Sequence, residues 1–501
     1  MFKNFHGYHM VEALHHANLT RWFHPNHMMK KAIQAVIILL LTLLVWNLPA
    51  SAFGIEGLTV VQQRILAIFV YAALMWVCEV VPAWATSISI IVLLLIFTSD
   101  SGLKVLVNPE EVGTLLSHKS IMASFADPVI MLFIGGFILA IAATKTGLDS
   151  QLAKVLIKPF GTKSSSVLLG FILITGLFSM FVSNTATAAM MLTFLAPVFR
   201  QLPPEGKGRI AMALSIPVAA NLGGMGTPIG TPPNNIALKY LNDPEGLNMD
   251  LGFGEWMLFM FPLVIVLLLI SWGVLSKLYP FTQKTVELEI ESKMKKDKKT
   301  KIVIVTFIVT VLLWVSDSLT GINCNTVALI PFMVFSMTGV IDRRDLEELN
   351  WSVLWMVAGG FALGYALNGS GLAENAVKSI PFGDFSPILI LVLSGALCYL
   401  LSNFISNSAT AALLMPILTV VCTAMGDKLE AIGSTPTVLI GVAVAASSAM
   451  ILPISTPPNA LAFSTGLVTQ KQMAKVGIIM GVVTMLLGYG LLYFLGTAKM
   501  I

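Results

Sequence analysis

The chain has 501 residues, of which 56% are hydrophobic and only 11% are charged. Soluble globular proteins carry roughly 25% charged residues, so this chain has too few to cover a surface that faces water. The composition excludes a soluble enzyme and a disordered chain. It predicts an all-α polytopic protein in the cell membrane, with the lipid bilayer as its surroundings.

The N-terminal segment, residues 1–32, is polar and basic without an early apolar core, so no removable signal peptide is expected. Its lysines and arginine precede the first apolar run, which predicts a cytoplasmic N-terminus by the positive-inside rule. Histidines crowd this segment in spacings that fit no compact metal site, so an interfacial amphipathic helix is the favoured interpretation. These histidines are His6, His9, His15, His16, His24 and His27.

Apolar runs recur along the rest of the chain. A helix needs about 20 apolar residues to cross the hydrocarbon core, and several runs reach that length with their flanks. The candidates are Ala32–Leu48, Leu66–Val81, Val129–Ala143, Leu258–Leu275, Ile302–Val315 and Val476–Leu495. Glu79 and Asp317 lie at span ends, where interfacial pairing or a helix-end role is favoured over a proton relay.

A strongly charged loop, residues 282–301, divides the chain. Its lysines predict a second cytoplasmic segment. Glu287, Glu289, Glu291 and Asp297 interrupt the positive charge, so a solvated loop is favoured and no nucleic-acid partner is expected.

The two halves of the chain repeat one pattern of motifs. Gly135-Gly136-Phe137 recurs as Gly359-Gly360-Phe361, an offset of 224 residues. Ser183–Ala189 resembles Ser406–Ala412 at an offset of 223, and Thr231–Asn234 matches Thr456–Asn459 at 225. With one leading span, each repeat crosses the membrane an odd number of times, so the copies are inverted. Inverted repeats are typical of secondary transporters, and a duplicated scaffold without transport is the alternative.

The repeats and the loop predict a division of the chain into segments. We expect a leading span and scaffold helices of repeat 1 in 33–120, and a hairpin with the transport part of repeat 1 in 121–255. The last span of repeat 1 follows in 256–281, and the basic linker in 282–301. Repeat 2 has scaffold helices in 302–350, its hairpin and transport part in 351–474, and a C-terminal span in 475–501.

Polar tips break two apolar stretches in the middle. Each half of Ser165–Phe199 is too short to span comfortably, and the sequence at its centre is Ser183-Asn184-Thr185. Serine and asparagine are favoured N-caps, so a re-entrant hairpin of two half-helices is predicted. The stretch Phe385–Val421 is expected to break in the same way at Ser406-Asn407-Ser408.

The two Thr-Pro-Pro-Asn segments predict a second kind of break. Tandem prolines lack backbone donors and disfavour a helical conformation in the preceding residue. Unwound backbone inside a membrane exposes carbonyls that ligate cations, and half-helix N-termini attract anions. These groups suit Na⁺ beside a carboxylate. The alternative is that the serines and threonines only hold helices together.

These paired tips and Thr-Pro-Pro-Asn segments resemble the divalent anion:sodium symporter family, the sodium/dicarboxylate transporters. The resemblance covers most of the chain after about residue 55. It implies a homodimer with eleven spans and two hairpins per chain, in which a transport domain moves as an elevator against a scaffold. The implied activity is secondary transport of succinate, malate, fumarate or 2-oxoglutarate, without an organic cofactor.

The family's functional residues carry over by motif. One sodium site would use Ser179, Ser183, Asn184 and Gly230, and a second would use Ser402, Ser406, Asn407 and Ser455. Substrate carboxylates would contact Ser183, Asn184, Thr185, Thr231, Ser406, Asn407, Ser408, Thr456 and Pro457. Two departures from the family pattern occur. Ser408 replaces the usual threonine and keeps its hydroxyl, and Ser455 stands where a smaller residue is common.

The mode of coupling stays open, because the family includes both sodium symporters and sodium-independent exchangers. In an exchanger, Lys239 could replace the charge of the ions, although a lysine that extends to the membrane interface is the favoured interpretation. Citrate or sulfate is an alternative substrate on the same fold. A membrane-embedded enzyme is a less favoured alternative, because no metalloprotease or P-loop motif occurs.

Overall fold

In the computed structural model, the described residues form helices connected by turns, with no β-strand among them. The structure describes residues 25–106, 113–204, 206–243, 247–286, 294–295, 297–379, 386–498 and 500. The predicted interfacial helix with His6, His9, His15, His16 and His24 lies outside these residues. The all-α fold predicted from the composition is confirmed.

The helices of the first repeat precede the basic loop. Their bounds are α1 Pro25–Asn47, α2 Val60–Cys78, α3 Ala83–Thr98, α4 His118–Ala123, α5 Pro128–Thr146, α6 Leu148–Ile157, α7 Ser164–Ser179, α8 Asn184–Gln201, α9 Lys207–Gly223, α10 Pro232–Leu241 and α11 Phe253–Leu278.

The helices of the second repeat follow the basic loop. Their bounds are α12 Lys298–Val315, α13 Asp317–Thr320, α14 Cys324–Met337, α15 Arg343–Glu347, α16 Trp351–Gly369, α17 Leu372–Ser379, α18 Pro387–Ser402, α19 Asn407–Met425, α20 Thr435–Ser448, α21 Pro457–Ser464 and α22 Gln470–Thr497. The repeat is visible in these bounds, because α8 and α19 begin 223 residues apart and α10 and α21 begin 225 apart.

Seven described helical segments are long and apolar enough to cross a bilayer. They are Met29–Asn47, Val60–Cys78, His118–Thr146, Phe253–Leu278, Trp351–Gly369, Asn407–Ile432 and Gln470–Thr497. Shorter apolar helices accompany them, among them α7 and α18, the first halves of the two predicted hairpins. At about 1.5 Å rise per residue, a helix of 16 residues falls short of the ~30 Å core, as a half-helix should.

The chain divides into two compact units. The described part of unit 1 comes from Met131–Asn350 and Ala443–Leu491. In it, α9 packs against α7, α8 and α11, and α21 packs against α8 and α9. Unit 2 comprises the described parts of Leu14–Ile130, Trp351–Val442 and Leu492–Ile501, and in it α16 packs against α3 and α19.

Asp317 caps the N-terminus of helix α11 in unit 1. Its Oδ2 accepts hydrogen bonds from the backbone N–H of Phe253 at 2.5 Å and of Gly254 at 3.3 Å. The first N–H groups of a helix have no partner within the helix, so this carboxylate satisfies the start of α11. Glu79 ends α2, and its carbonyl accepts from Lys31 Nζ. Both residues agree with the helix-end interpretation.

Candidate functional site

The first predicted hairpin breaks at its polar tip. Helix α7 ends at Ser179 and α8 begins at Asn184. Ser183 is the N-cap of α8, and its Oγ accepts from the backbone N–H of Ala186 at 3.2 Å. The predicted cap is confirmed. Because the other early N–H groups of α8 have no partner within the helix, the tip presents the positive end of a helix dipole.

Three oxygen atoms converge beside this break. The Oγ of Ser179 lies 2.6 Å from Asn184 Oδ1 and 2.8 Å from the carbonyl oxygen of Ala220 on α9. Ser179 is completely buried. A hydroxyl has a single hydrogen and can satisfy only one of these two acceptors fully. The cluster therefore brings a hydroxyl, an amide and a carbonyl oxygen together, and these are the ligand atoms that a hard cation takes.

Gly224 leaves the space that the side-chain amide of Asn184 occupies. A Cβ at Gly224 would lie 2.8 Å from Asn184 Oδ1 and 3.2 Å from the carbonyl oxygen of Gly230. A Cβ at Gly230 would in turn overlap the carbonyl of Gly224. The two glycines therefore let the unwound segment 224–231 approach the hairpin tip closely. This brings together Ser179, Asn184 and Gly230, three of the four predicted ligands of the first sodium site.

Two side chains that the sequence did not single out fix this unwound segment. The Nδ2 of Asn234 donates to the carbonyls of Gly224 at 3.0 Å and Thr227 at 2.8 Å. The hydroxyl of Thr227 donates to the carbonyl of Met180 in the hairpin tip and accepts from the N–H of Gly230. The only advance signal for Asn234 was its place in the repeated Thr-Pro-Pro-Asn motif.

The second unwound segment follows the same plan in unit 1. The Nδ2 of Asn459 donates to the carbonyls of Met450 at 2.8 Å and Leu452 at 3.0 Å. Ser455 closes a tight turn, because its hydroxyl accepts from the N–H of Leu452. Thr456 is the N-cap of α21 and accepts from the N–H of Asn459. Both Thr-Pro-Pro-Asn copies thus begin a helix at their first proline, and the predicted break lies just before it.

The second hairpin breaks in unit 2, between Ser402 and Asn407. Ser406 is the N-cap of α19 and accepts from the N–H of Ala409 at 3.2 Å. The buried Oδ1 of Asn407 has no hydrogen-bond partner among the described residues. An unsatisfied buried oxygen is costly unless something binds it, so it too fits a cation ligand.

The predicted residues fall on both units. Unit 1 holds Ser179, Ser183, Asn184, Thr185, Gly230, Thr231, Lys239, Ser455, Thr456 and Pro457, and unit 2 holds Ser402, Ser406, Asn407 and Ser408. Lys239 lies in the last turn of α10, where the helix dipole favours a cation.

The sequence stretches that contain the predicted ligands have no charged residue, and Lys239 follows directly after one of them. The stretches 165–199, 210–238, 385–426 and 431–470 contain no Asp, Glu, Lys or Arg. They hold all of the predicted direct ligands. An ion bound by the predicted ligands would be attracted by oxygen atoms and helix ends.

Comparison with known proteins identifies the family. A family model described as a citrate transporter matches residues 73–433. A sodium-dependent dicarboxylate transporter of Staphylococcus saprophyticus is 29% identical over 494 residues, covering 91% of this chain and 90% of the relative. The corresponding protein of Staphylococcus aureus strain USA300 is 30% identical over 471 residues, covering 86% and 85%. The chain belongs to the divalent anion:sodium symporter family.

Solved structures support the fold of this symporter-family chain. The YdaH transporter of Alcanivorax borkumensis superposes with a TM-score of 0.56 at 15% identity, covering 83% of this chain and 98% of that one. The MtrF efflux pump of Neisseria gonorrhoeae gives a TM-score of 0.53 at 14% identity, covering 82% and 94%. At this identity the likeness concerns the fold alone.

Family membership settles the class of function. The chain is a multi-pass membrane transporter and not an enzyme, so the alternative of a membrane-embedded enzyme is set aside.

Proposed function

We propose that this protein is a sodium-coupled secondary transporter of C4 and C5 dicarboxylates such as succinate, malate, fumarate and 2-oxoglutarate. The observation that carries the proposal is the cluster of Ser179, Asn184 and Ala220, where three oxygen atoms of the kind that bind Na⁺ meet at the break in the hairpin. The names of the relatives, which are sodium-dependent dicarboxylate transporters, support the same choice.

In this proposal, each hairpin tip contributes to one sodium site. The first uses Ser179, Ser183, Asn184 and Gly230, and the carbonyl of Ala220 adds a ligand that the sequence did not indicate. The second uses Ser402, Ser406, Asn407 and Ser455. The unpartnered Oδ1 of Asn407 supports the second site, because Na⁺ would supply the missing interaction.

The substrate is held by neutral groups. Its carboxylates meet the tip residues Ser183-Asn184-Thr185 and Ser406-Asn407-Ser408, together with Thr231, Thr456 and Pro457. Helix N-termini and the bound cations supply positive charge, since none of these residues is basic. Sodium binding thereby raises the affinity for the anion, and this coupling makes transport depend on the sodium gradient.

The movement and assembly follow the family resemblance. We propose that the protein is a homodimer in the cell membrane, with inverted repeats, a cytoplasmic N-terminus and an elevator movement of the transport domain. The basic residues that precede α1 and those in the loop 282–301 support this orientation.

The test is uptake of labelled succinate into proteoliposomes. An inward sodium gradient should drive accumulation, whereas a matched potassium gradient should not. Vesicles preloaded with succinate and lacking sodium measure exchange in parallel. Accumulation that needs internal dicarboxylate and ignores sodium would replace symport by exchange, and uptake in neither condition would refute dicarboxylate transport.

Citrate is the second candidate substrate, favoured by the description of the matching family model. Competition of unlabelled citrate, sulfate and succinate against labelled succinate separates these substrates. We expect succinate to compete most strongly. Stronger competition by citrate would move the assignment to a tricarboxylate.

A further inference from the structure

Asn221 on α9 lies outside the predicted ligand set, and its side chain donates a hydrogen bond to the hydroxyl of Thr456, which belongs to that set. It is 2% exposed and lies in unit 1 with the second Thr-Pro-Pro-Asn segment. Its Nδ2 is 3.1 Å from the Oγ1 of Thr456 and 3.3 Å from the Oδ1 of Asn459. Asn221 therefore links a helix of repeat 1 to the substrate-binding segment of repeat 2.

The direction of these hydrogen bonds follows from the backbone. Asn459 uses its Nδ2 for the carbonyls of Met450 and Leu452, so its Oδ1 is the atom that faces Asn221. An oxygen accepts and cannot donate, so Asn221 must present its Nδ2 there. Because the same Nδ2 contacts Thr456, the hydroxyl of Thr456 accepts from Asn221.

These contacts leave only the hydrogen of the Thr456 hydroxyl available for a further hydrogen bond. Its Oγ1 accepts from Asn221 Nδ2 and also from the backbone N–H of Asn459 at 3.3 Å. A hydroxyl oxygen has two acceptor lone pairs, and both are used. Among the described residues, no acceptor receives its hydrogen. Thr456 is thus arranged as a donor that awaits an acceptor.

The first repeat lacks this arrangement. The counterpart of Asn221 at the offset of 225 is Ala446. The buried Oδ1 of Asn234, the counterpart of Asn459, has no partner among the described residues. Thr231, the counterpart of Thr456, makes no side-chain cap bond. The two repeats share a motif, but only the second has a hydroxyl whose direction is set.

We propose that Asn221 is a positioning residue that fixes the Thr456 hydroxyl as a hydrogen-bond donor to a carboxylate of the substrate. The inference rests on the proposed function, because it assumes that a dicarboxylate binds beside Thr456. A carboxylate oxygen accepts only, so a hydroxyl whose lone pairs are both engaged is suited to it. A preset donor also spares the cost of reorienting the group when the substrate binds.

A double-mutant cycle on succinate uptake in proteoliposomes tests this step. Thr456→Val removes the hydroxyl at nearly constant volume, and loss of a hydrogen bond to a charged group should raise the KM for succinate about tenfold. Asn221→Ala should raise the KM several-fold. If Asn221 acts through Thr456, Asn221→Ala adds almost nothing to the KM of Thr456→Val.

Thr231→Val provides the matched background. The partners of Asn221 are Thr456 and Asn459 in repeat 2, so the increases in KM caused by Asn221→Ala and Thr231→Val should multiply. A loosened fold would raise the KM in both backgrounds alike. If Asn221→Ala raised the KM by the same factor in the Thr456→Val and Thr231→Val backgrounds, the positioning role would be overturned.

Asn221→Asp is a second variant for the case in which Asn221→Ala fails to fold. It keeps the shape of the side chain but replaces the donor by an acceptor, which takes the hydrogen of Thr456 away from the substrate. The new carboxylate also faces the Oδ1 of Asn459 in both backgrounds, so the KM should rise further in the native background than in the Thr456→Val background. An equal rise in both backgrounds would contradict the proposal. Absence of succinate uptake by the unmodified protein would instead refute the proposed function.

Discussion

The hydroxyl of Ser179 lies 2.6 Å from the Oδ1 of Asn184, across the break that separates α7 from α8. This contact joins the end of one half-helix to the start of the next. The nearby carbonyl of Ala220 competes for the same hydrogen. The break in the hairpin thus brings an amide oxygen and a carbonyl oxygen within hydrogen-bond distance of the Ser179 hydroxyl.

Ser179→Ala should weaken the sodium response. Removing one oxygen ligand should raise the sodium concentration for half-maximal succinate uptake about tenfold, equivalent to about 1.4 kcal/mol. Ser215→Ala is the matched control, because Ser215 is also buried in unit 1 and its hydroxyl donates to Met212 within its own helix. The same sodium dependence in both variants would argue against a ligand role for Ser179.

Gly224→Ala should impair transport by displacing Asn184. Gly224 has an ordinary helical φ of −55°, so alanine fits the backbone and only its Cβ causes the clash. Overpacking of this kind costs about 1–3 kcal/mol. In Gly273→Ala, the new Cβ meets nothing within 4 Å, so uptake should be retained. Uptake assays and thermal unfolding of both variants test the difference, and normal sodium affinity in Gly224→Ala would contradict it.

Asp317→Ala should lower stability and spare substrate affinity. Without the carboxylate, the buried N–H groups of Phe253 and Gly254 lose their acceptor, at a cost of about 1–3 kcal/mol. Thermal unfolding in detergent should show a lower Tm, with an unchanged KM for succinate. Asp317→Asn keeps one oxygen acceptor, so its Tm should lie between those of the native protein and Asp317→Ala. A normal Tm with lost uptake would instead indicate a proton relay.

Asp149 should make stability depend on pH. Burial of this carboxyl near the start of α6 raises its pKa above the ordinary value of 3.8, because the charged form loses hydration. A raised pKa in the folded state means that folding favours the protonated form. The stabilisation is complete below the unfolded pKa and is lost as pH rises through the folded pKa.

Asp149→Asn tests this dependence, because the amide can still accept from Ser150 N–H and interact with the Thr144 hydroxyl. The Tm of the native protein should fall relative to that of Asp149→Asn as pH rises from about 4. Parallel Tm curves for the two proteins would show that this carboxyl does not titrate differently on unfolding.

Lys239→Ala should leave the sodium dependence of uptake unchanged. The charge lies in the last turn of α10, where it interacts favourably with the helix dipole and contributes roughly 0.3–1 kcal/mol to stability. A small decrease in Tm is therefore expected. Loss of sodium-independent exchange in this variant would instead support compensation of the substrate charge by Lys239.

The helix breaks could be predicted from sequence because their causes are local. A serine cap at Ser183 or Ser406 and a tandem proline after Thr231 or Thr456 act on the residues beside them. The carbonyl of Ala220 could not be predicted, because every residue carries a carbonyl and its contact with Ser179 spans 41 positions.

The sequence motifs could not predict the difference between the two repeats. Matching motifs predicted equivalent sites, yet Ser179 bonds Asn184 whereas Ser402 has Cys398 Sγ at 4.0 Å and the Oδ1 of Asn407 has no described partner. The packing of neighbouring helices decides which of the equivalent side chains meet.

The lack of charged side chains among the predicted ligands has a consequence for titration. Hydroxyls, amides and backbone carbonyls keep the same protonation state from acid to alkaline conditions. The binding groups therefore contribute no proton equilibrium of their own near neutrality. A change of substrate affinity with pH in this range would therefore report the ionisation of the substrate, and the acidity of each substrate would set the pH at which it binds best.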